Sequence, residues 1–356
     1  MSTPSFPHRM LEDIFHEPEA IEKTLLSIDR AVDAIIDKFT HDRARFIYLT
    51  GSGTSYHAGL ASQYVFSTTA RIPTTTIQAS EFSRWTPSSF DEGTWLIAIS
   101  QSGESADILT AAQEAAKKGA EVLGLTNTRD SSLAKIADET LLTEAGVEHA
   151  VTATKTYISQ LAALYLFCLK LAKRNEVENV TPTLDRLYEM PEIVRGELTT
   201  LVTQVPEIAR QFKDRNLYFL LGSGPNFATA LEGALKLKES SNVYAEGFAT
   251  REFLHGPQQL VNSKTPIISI IAQGEQESNM RLIERFRGFG APIITVSSRS
   301  EAEGGLGVHQ IVLDCEVPLT LTPMLYVIPL QLYAYHNSVL RGLDPDKPEK
   351  LTKVVK

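Results

Sequence analysis

The stretch Phe46–Gly53 reads FIYLTGSG, an apolar run that ends in Gly-Ser-Gly, and Leu217–Gly224 reads LYFLLGSG, 171 residues later. A short apolar run that ends in glycines, ahead of an amphipathic segment, predicts a buried strand that leads into a helix. The chain therefore carries the same strand–turn–helix signal twice.

Further landmarks repeat at the same offset of 171 residues, without a gap. The pairs are Thr94–Ile99 with Thr265–Ile270, Gly103-Glu104 with Gly274-Glu275, Gly119-Ala120 with Gly290-Ala291, and Gln160-Leu161 with Gln331-Leu332. Such agreement indicates a tandem duplication. In each copy, apolar strands alternate with amphipathic helices, which is typical of a parallel sheet covered by helices on both faces. We predict an α/β fold of two such domains, each a flavodoxin-like three-layer sandwich.

The remaining segments are helical or polar. We predict an N-terminal helical segment over residues 1–40, a first domain over 41–174, a helical linker over 175–216, a second domain over 217–341 and a tail over 342–356. The tail is charged and contains Pro345 and Pro348. That composition at a chain end favours disorder.

Composition excludes several classes of protein. The net charge of −9 provides no basic field for nucleic acid. No window approaches the roughly 18 apolar residues of a membrane span, and Met1–Arg9 lacks the apolar core of a signal peptide. We therefore expect a cytoplasmic chain that binds neither nucleic acid nor membrane. Cys168 and Cys315 belong to no Cys/His cluster, so we expect two buried structural thiols and no metal site.

Hydroxyl-rich loops follow two predicted strands of the first copy, Gly51–Ser55 and Ser100–Ser105, and both open a helix. Loops at the carboxyl ends of parallel strands, joined to helix N-termini, suit a phosphate group. The second-copy counterpart, Ile271–Gln273, has no hydroxyl, so we expect a phosphate site in the first copy only. The alternative is that these serines and glycines are ordinary helix caps and turns.

A charged cluster marks the second copy. Glu232, Lys236 and Glu239 lie at i, i+4 and i+7, on one face of a predicted helix. The alternative is a salt-bridged face in contact with solvent. His255 precedes Gly-Pro at a strand-end position, and histidine is a common general acid or base in enzymes, although a single histidine is more often structural. Composition alone does not distinguish Lys353 from a solvated tail lysine.

Longer stretches make the chain similar to a known family. They are HRMLEDIFHEPEAI (His8–Ile21), GTSY (Gly53–Tyr56), SQSGES (Ser100–Ser105), ATKTY (Ala153–Tyr157), ALEGALKLKE (Ala230–Glu239), EFLHGP (Glu252–Pro257) and DPDKPEKLTK (Asp344–Lys353). From about Pro7 to Val355 the chain resembles the isomerase half of glutamine–fructose-6-phosphate aminotransferases. That half consists of two sugar isomerase (SIS) domains, so the resemblance implies tandem SIS domains here.

The resemblance also implies roles for individual residues. Glu239 would move a proton between C1 and C2, His255 of a partner subunit would open the sugar ring, and Lys353 would form a Schiff base with the ketose. It implies a homodimer with shared active sites, a sugar-phosphate substrate and no cofactor. The implied substrate and phosphate contacts are Ser52, Gly53, Thr54, Ser55, Ser100, Gln101, Ser102, Ser105, Val151, Glu232 and Lys236.

Some positions depart from the family pattern. Ser52 replaces a usual Cys, Ser105 replaces a Thr, and Ala153 replaces a Ser, which removes one possible sugar or phosphate contact. The sequence shows no glutaminase half, and Ser2 stands where that half needs a cysteine. We therefore expect this chain not to hydrolyse glutamine.

These observations predict a stand-alone SIS-type glucosamine-6-phosphate deaminase and isomerase, with the reversible reaction of glucosamine 6-phosphate and water to fructose 6-phosphate and ammonia. One alternative is a deglycase that acts on a fructosamine 6-phosphate, and another is an ammonia-dependent synthase-like isomerase. An alternative of another class is a non-catalytic sugar-phosphate sensor. The sensor is disfavoured because Glu239, His255 and Lys353 are all present.

Overall fold

The computed structural model describes residues 6–40, 44–91, 93–298 and 309–353, without the side chains of residues 39 and 40. Two units contain these residues. The first unit draws on Glu17–Glu148, Lys155–Pro191 and Thr352–Lys356, and the second on Met1–His16, His149–Thr154 and Glu192–Leu351. Residues 1–5 of the predicted N-terminal segment and 354–356 of the predicted tail lie outside the described residues.

Helices and strands alternate through both copies. In chain order the elements are α1 (Arg9–Phe15), α2 (Glu17–Thr40), β1 (Phe46–Gly51), α3 (Thr54–Thr68), β2 (Thr74–Gln78), α4 (Ala79–Trp85), β3 (Thr94–Ile99), α5 (Ala106–Lys117), β4 (Glu121–Thr126), α6 (Ser132–Ile136), β5 (Glu139–Leu142), α7 (Lys155–Arg174), α8 (Thr181–Phe212), β6 (Leu217–Gly222), α9 (Pro225–Ser241), β7 (Tyr244–Ala249), β8 (Ile267–Ile271), α10 (Gln276–Gly288), β9 (Ile293–Ser298), β10 (His309–Leu313) and α11 (Thr322–Leu340).

Each unit contains a parallel sheet, five-stranded over the described residues. The strand order is β2-β1-β3-β4-β5 in the first unit and β7-β6-β8-β9-β10 in the second, and every pairing is parallel. All residues of β3 and β8 are buried, as a strand covered on both faces requires. The predicted fold class is confirmed.

The backbone repeats with the sequence. Gly53 and Gly224 have φ values of 54° and 53°, Gly103 and Gly274 have 66° and 81°, and Gly119 and Gly290 have 96° and 83°. Glycine adopts these left-handed values without the steric cost that a Cβ would impose. The duplication is therefore one of turns as well as of strands and helices.

Strand-end glycines let each sheet meet its first helix at close range. A Cβ on Gly51 would lie 2.6 Å from the carbonyl carbon of Ser55, and one on Gly222 would lie 2.1 Å from the carbonyl oxygen of Asn226. Neither approach leaves room for a side chain. The amino ends of α3 and α9 are therefore held directly against the carboxyl ends of β1 and β6.

The two cysteines differ in burial. Cys168 lies buried in α7, and this burial raises the pKa of its thiol. Cys315 follows β10 and is only partly buried, so the expectation of a second buried thiol was wrong. Its main-chain N–H donates to Glu197 over 2.6 Å, which places the residue at the rim of the second unit's sheet and not in the core.

The long helices α7 and α11 follow the last described strand of each copy, and nearly all of their residues are buried. Along the part of the chain that the structure describes, no helix combines the length and the hydropathy needed to cross a bilayer.

Candidate active site

The loop Ser100–Ser105 follows β3 and precedes α5 in the first unit. The hydroxyl of Ser100 accepts a hydrogen bond from the Gly103 N–H at 3.1 Å, and that of Ser102 accepts one from Glu104 N–H at 3.2 Å. A hydroxyl that accepts from the backbone keeps its own proton for donation. Both side chains are thus oriented by the main chain and can donate to an anion.

The loop Gly51–Ser55 lies beside it, because β1 and β3 are neighbours in the sheet. Ser55 is 8% exposed, and its hydroxyl accepts a hydrogen bond of 3.0 Å from the Gln160 side-chain amide. Ser52 and Gly53 are exposed, and Thr54 is half-buried. The structure therefore brings the hydroxyl-rich loops of the first copy to adjacent strand ends.

No serine hydroxyl caps α3 or α5, but the hydrogen bonds of Ser100 and Ser102 are those of local turns, so the alternative of ordinary turn residues stays open. The N-cap of α3 is Gly53, which has no side chain, and the N-cap of α5, Ser105, makes no capping hydrogen bond with its hydroxyl. Ser131 provides the contrast, because its hydroxyl caps α6 by accepting from Ala134 N–H. The first N–H groups of an α-helix have no acceptor within the helix, and an anion bound at the start of α5 could accept from them.

The charged residues of α9 form a buried cluster in the second unit. Lys236 Nζ lies 3.1 Å from Glu232 Oε1 and 2.7 Å from Glu239 Oε2. The side chains of Glu232 and Lys236 are 0% exposed, whereas that of Glu239 is 22% exposed. The alternative interpretation of a solvated face was wrong, because this side of α9 packs against the rest of the second unit and not against water.

Charge balance in this cluster favours an ionised lysine. Burial acts to lower the pKa of Lys236, but the carboxylates of Glu232 and Glu239 outweigh it and raise this pKa above its ordinary value. The ammonium group fixes both carboxylates by charge-assisted bonds. Glu239, at the partly open end, is the member of the cluster that a ligand can reach.

His255 follows a short 3₁₀ helix, Glu252–Leu254, in the second unit. Its main-chain N–H donates to the Glu252 carbonyl at 3.0 Å, and its side chain is exposed. The buried ring of Phe253 anchors the turn, with ring centres 4.9 Å from Phe219 and 5.5 Å from Phe286. Among the described residues, His255 forms no hydrogen bond or ion pair with the charged cluster of α9.

Lys353 contacts Glu148 in the first unit. Its Nζ donates to the Glu148 carbonyl oxygen and lies 4.0 Å from the Glu148 carboxylate. That carboxylate is only 1% exposed, and it accepts hydrogen bonds from the Thr156 hydroxyl at 2.6 Å and the Thr156 N–H at 3.2 Å. The tail lysine therefore has a fixed partner.

Val151 belongs to the second unit, where its N–H donates to the Asp346 carbonyl at 3.0 Å. Asp346 also accepts, through its carboxylate, from Arg9 and Met10 N–H groups at 2.8 Å each. Within the described ranges, no three His, Cys, Asp or Glu side chains are grouped closely enough to hold a metal ion.

The SIS domain family matches residues 42–170 and 211–341, which is more than half of the chain. The chain belongs to the SIS domain family.

Relatives of this SIS chain carry one recurrent description. This chain is 38% identical to glutamine–fructose-6-phosphate aminotransferase [isomerizing] of Methanothermobacter thermautotrophicus, over 98% of this chain and 58% of the relative. It is 40% identical to the Thermococcus kodakarensis protein of that name, over 98% and 58%. The solved C-terminal domain of glucosamine-fructose-6-phosphate aminotransferase from Francisella tularensis superposes with a TM-score of 0.90, at 30% identity, over 98% of this chain and 100% of that one.

The chain thus spans 58% of the length of these curated relatives. The resemblance to the SIS half of these aminotransferases is confirmed. The individual site residues stay predictions, and the structure distributes them over both SIS units. The serine loops and Lys353 belong to the first unit, and the α9 cluster, His255 and Val151 belong to the second.

Sequence reasoning missed the residues that orient the predicted ones. Glu148, Thr156 and Asp346 lie within stretches that carried the family resemblance or next to them, but their contacts join distant positions. The role of Gln160 could have been predicted from the sequence, because this glutamine recurs as Gln331 in the second copy. A polar residue that recurs in an otherwise apolar helix is a signal for a buried hydrogen bond.

Proposed function

We propose that this SIS chain interconverts an amino-aldose phosphate and a ketose phosphate, and that it converts glucosamine 6-phosphate and water to fructose 6-phosphate and ammonia. The observation that supports this most is the α9 cluster. Glu239 is held by Lys236 at 2.7 Å and is 22% exposed, beside partners that are fully buried. A fixed carboxylate with a partly open face suits proton transfer to and from carbon.

The proposed proton path needs one such carboxylate. In the open-chain aldose, Glu239 takes the proton from C2, which gives an enolamine. The protonated carboxyl group then returns the proton to C1, and the product is an imine at C2. Water adds to that imine carbon, and ammonia leaves as the ketone forms. Glu239 ends in the state in which it began, as a catalyst must.

The serine loops are proposed to hold the phosphate. The hydroxyls of Ser100 and Ser102 accept from main-chain N–H groups and can donate their own protons to a ligand. The hydroxyl of Ser55 accepts from the Gln160 side chain and can likewise donate its proton. The amino end of α5 adds main-chain N–H groups and a partial positive charge. These neutral donors are proposed to bind an anion without a cluster of basic side chains, which the acidic sequence does not provide.

The second candidate function is the same reaction in the synthetic direction. The curated relatives are named aminotransferases, which favours the synthesis of glucosamine 6-phosphate from fructose 6-phosphate. The same proton transfers run in reverse, with ammonia adding to C2 of the ketose. In the synthetic direction Lys353 is proposed to capture C2 of the ketose as an imine with the loss of one water, and ammonia then adds to that carbon and displaces the lysine amine. In the deaminating direction the lysine amine displaces ammonia from the C2 imine, and water hydrolyses the lysine imine to the ketose.

One incubation tests the proposal. Purified protein is mixed with glucosamine 6-phosphate, and ammonia and fructose 6-phosphate are measured together. We expect equal amounts of both, and loss of both in Glu239→Gln. Glu197→Gln serves as the matched control, because Glu197 is also a buried carboxylate of the second unit, bound to the N–H groups of Asp314 and Cys315.

Other outcomes of this incubation separate the alternatives. Turnover of a fructosamine 6-phosphate that carries an amino acid, without turnover of glucosamine 6-phosphate, would replace the proposal by a deglycase. Binding of glucosamine 6-phosphate with no product in either direction would favour the sensor.

Shared sites in a homodimer form the second part of the proposal. His255 is exposed on its turn, as a residue offered to a partner subunit must be. Mixing inactive His255→Ala with inactive Glu239→Gln should restore activity in heterodimers, because one of the two sites is then intact. Verified heterodimers without activity would contradict shared sites and leave the proton path unaffected.

A further inference from the structure

We propose that Glu148 is the positioning residue for Lys353, seating the tail amine where the ketose carbonyl is captured. This inference rests on the proposed function, since it concerns the lysine that forms the Schiff base there. It adds a residue to which neither the family resemblance nor the repeat had assigned a role. The contacts that carry it all lie in the first unit.

Two oxygens of Glu148 face the amine. The main-chain carbonyl accepts from Lys353 Nζ, and the carboxylate lies 4.0 Å from the same nitrogen. The Lys353 side chain is 31% exposed, and it extends from an exposed end of the tail. The amine therefore has a defined contact on the first unit although the residue that carries it lies at the surface.

The seat itself is rigid. The Glu148 carboxylate is 1% exposed and is held by the hydroxyl and N–H of Thr156, at 2.6 and 3.2 Å. Thr156 is itself buried, in the first turn of α7. A carboxylate that is fixed at a helix N-terminus is stabilised by the helix dipole. A fixed negative charge can orient a mobile ammonium group without losing its own position.

A purely structural role would account for only half of these contacts. Capping α7 uses the Glu148 carboxylate and Thr156, and it does not require Lys353. The neutral variant Glu148→Gln separates the two roles, because the glutamine side-chain oxygen can still accept from Thr156 while the charge is removed. Glu197→Gln is the matched control, since Glu197 binds two main-chain N–H groups and lies in the other unit.

The first measurement needs no substrate. Lys353 of the ligand-free protein is labelled by reductive methylation and quantified by peptide mass mapping. We expect labelling about two- to fivefold faster in Glu148→Gln than in wild type, the range that exposed ion pairs support. Glu197→Gln should label Lys353 at the wild-type rate. Equal labelling of Lys353 in wild type and Glu148→Gln would overturn the proposal.

The second measurement follows the adduct with fructose 6-phosphate, trapped on Lys353 by borohydride. Trapping should become about two- to fivefold slower in Glu148→Gln, because the same charge contribution is now lost from positioning. kcat should fall with it while KM changes less than about twofold. The labelling and trapping rates thus move in opposite directions, which a general loosening of the fold would not produce. Unchanged trapping would overturn the proposal.

Should Glu148→Gln fail to fold, Thr156→Val keeps the charge and removes the hydroxyl that holds it. Trapping should then slow as well, and wild-type trapping in this variant would contradict the rigid seat. A wild-type chain that forms no adduct at all would overturn the Schiff-base role of Lys353, and with it the proposed positioning, whatever the labelling shows. Labelling and trapping therefore distinguish failure of the seat from failure of the proposed function.

Discussion

The loop after β3 and the loop after β8 have one backbone and two chemistries. Gly103 and Gly274 occupy equivalent turns with φ values of 66° and 81°. Around the first glycine stand Ser100, Ser102 and Ser105, and around the second stand Ile271, Ala272 and Gln273. In the second loop the Glu275 carboxylate accepts from the Ala272 N–H at 3.3 Å, whereas that of its first-loop counterpart, Glu104, accepts from the Ser132 N–H at 2.8 Å, outside the loop.

The neighbouring helix starts diverge in the same way. Ser55 accepts from Gln160 and keeps a proton for a ligand, whereas its counterpart Asn226 donates to Thr322 at 2.8 Å. Neither amide atom of Gln331, the counterpart of Gln160, has a hydrogen-bond partner among the described residues. On the proposed function, the two copies share their turns, and the side chains at the edge of each sheet decide which copy binds the phosphate.

The largest effect should come from the second unit. Glu239→Gln should lower kcat by roughly 10²–10⁴, the usual contribution of general acid–base catalysis, and leave KM within about twofold. Steady-state kinetics with glucosamine 6-phosphate measure both values. A rise in KM with unchanged kcat would mean that the second unit binds and does not react, which would reverse the division of labour proposed for the two copies.

Lys236 lies in a buried ion-pair cluster, whereas the comparable lysine of the first unit pairs with exposed carboxylates. Lys236→Met should lower the free energy of unfolding by about 3–5 kcal/mol, because Glu232 and Glu239 would be left without a counter-charge in the interior. In the first unit, Lys170 pairs with Asp29 and Asp33, which are 37% and 63% exposed. Lys170→Met should cost about 1 kcal/mol or less. Urea denaturation of both variants tests this difference, and equal losses would contradict it.

The serine loop gives the next effect. Ser102→Ala should raise KM roughly 10- to 100-fold, since a hydrogen bond to a charged group contributes about 1.5–3 kcal/mol. Its second-unit counterpart Gln273→Ala should leave KM unchanged. Wild-type KM in Ser102→Ala, or an equal rise in both variants, would erase the difference between the loops.

The smallest effect concerns α7 and α11. Burial raises the pKa of Tyr165 in α7 and lowers the pKa of its counterpart, His336 in α11, to about 4. The folded state therefore favours neutral His336. Its stability contribution is complete above the ordinary pKa of about 6.5 and is lost as the pH falls toward 4. Melting temperatures of wild type and His336→Gln should converge between pH 7 and pH 4.5 if the variant starts lower, and a constant difference would contradict the burial of a neutral imidazole.

The sequence predicted the strands and helices that a local pattern of apolar and turn residues encodes. The strands β1 and β6 were predicted from FIYLTGSG and LYFLLGSG, because a short apolar run that ends in turn residues is typical of a buried strand. The helix α4 and the strand β5 were not predicted, since each has only seven or four residues and no full period to recognise.

The candidate site was predictable to a different extent. The i, i+4 spacing of Glu232 and Lys236 is the same for a solvated face and for a buried ion pair, so only the fold could decide between them. The partner of Lys353 is Glu148, 205 positions away in the chain, and no local pattern encodes such a contact. Residue types were thus readable from the sequence, whereas the groups that orient them were not.

The loss of hydroxyls from the second loop has a consequence for the number of phosphate groups that one chain binds. A duplicated anion site would ordinarily bind two phosphate groups per chain. On the proposed function the first loop binds one, whereas Ile271–Gln273 offers no hydroxyl and the Ala272 N–H already donates to the Glu275 carboxylate. Isothermal titration with inorganic phosphate should therefore count one site per chain, and Glu275→Gln should not open a second, because Ile271–Gln273 still has no hydroxyl to donate.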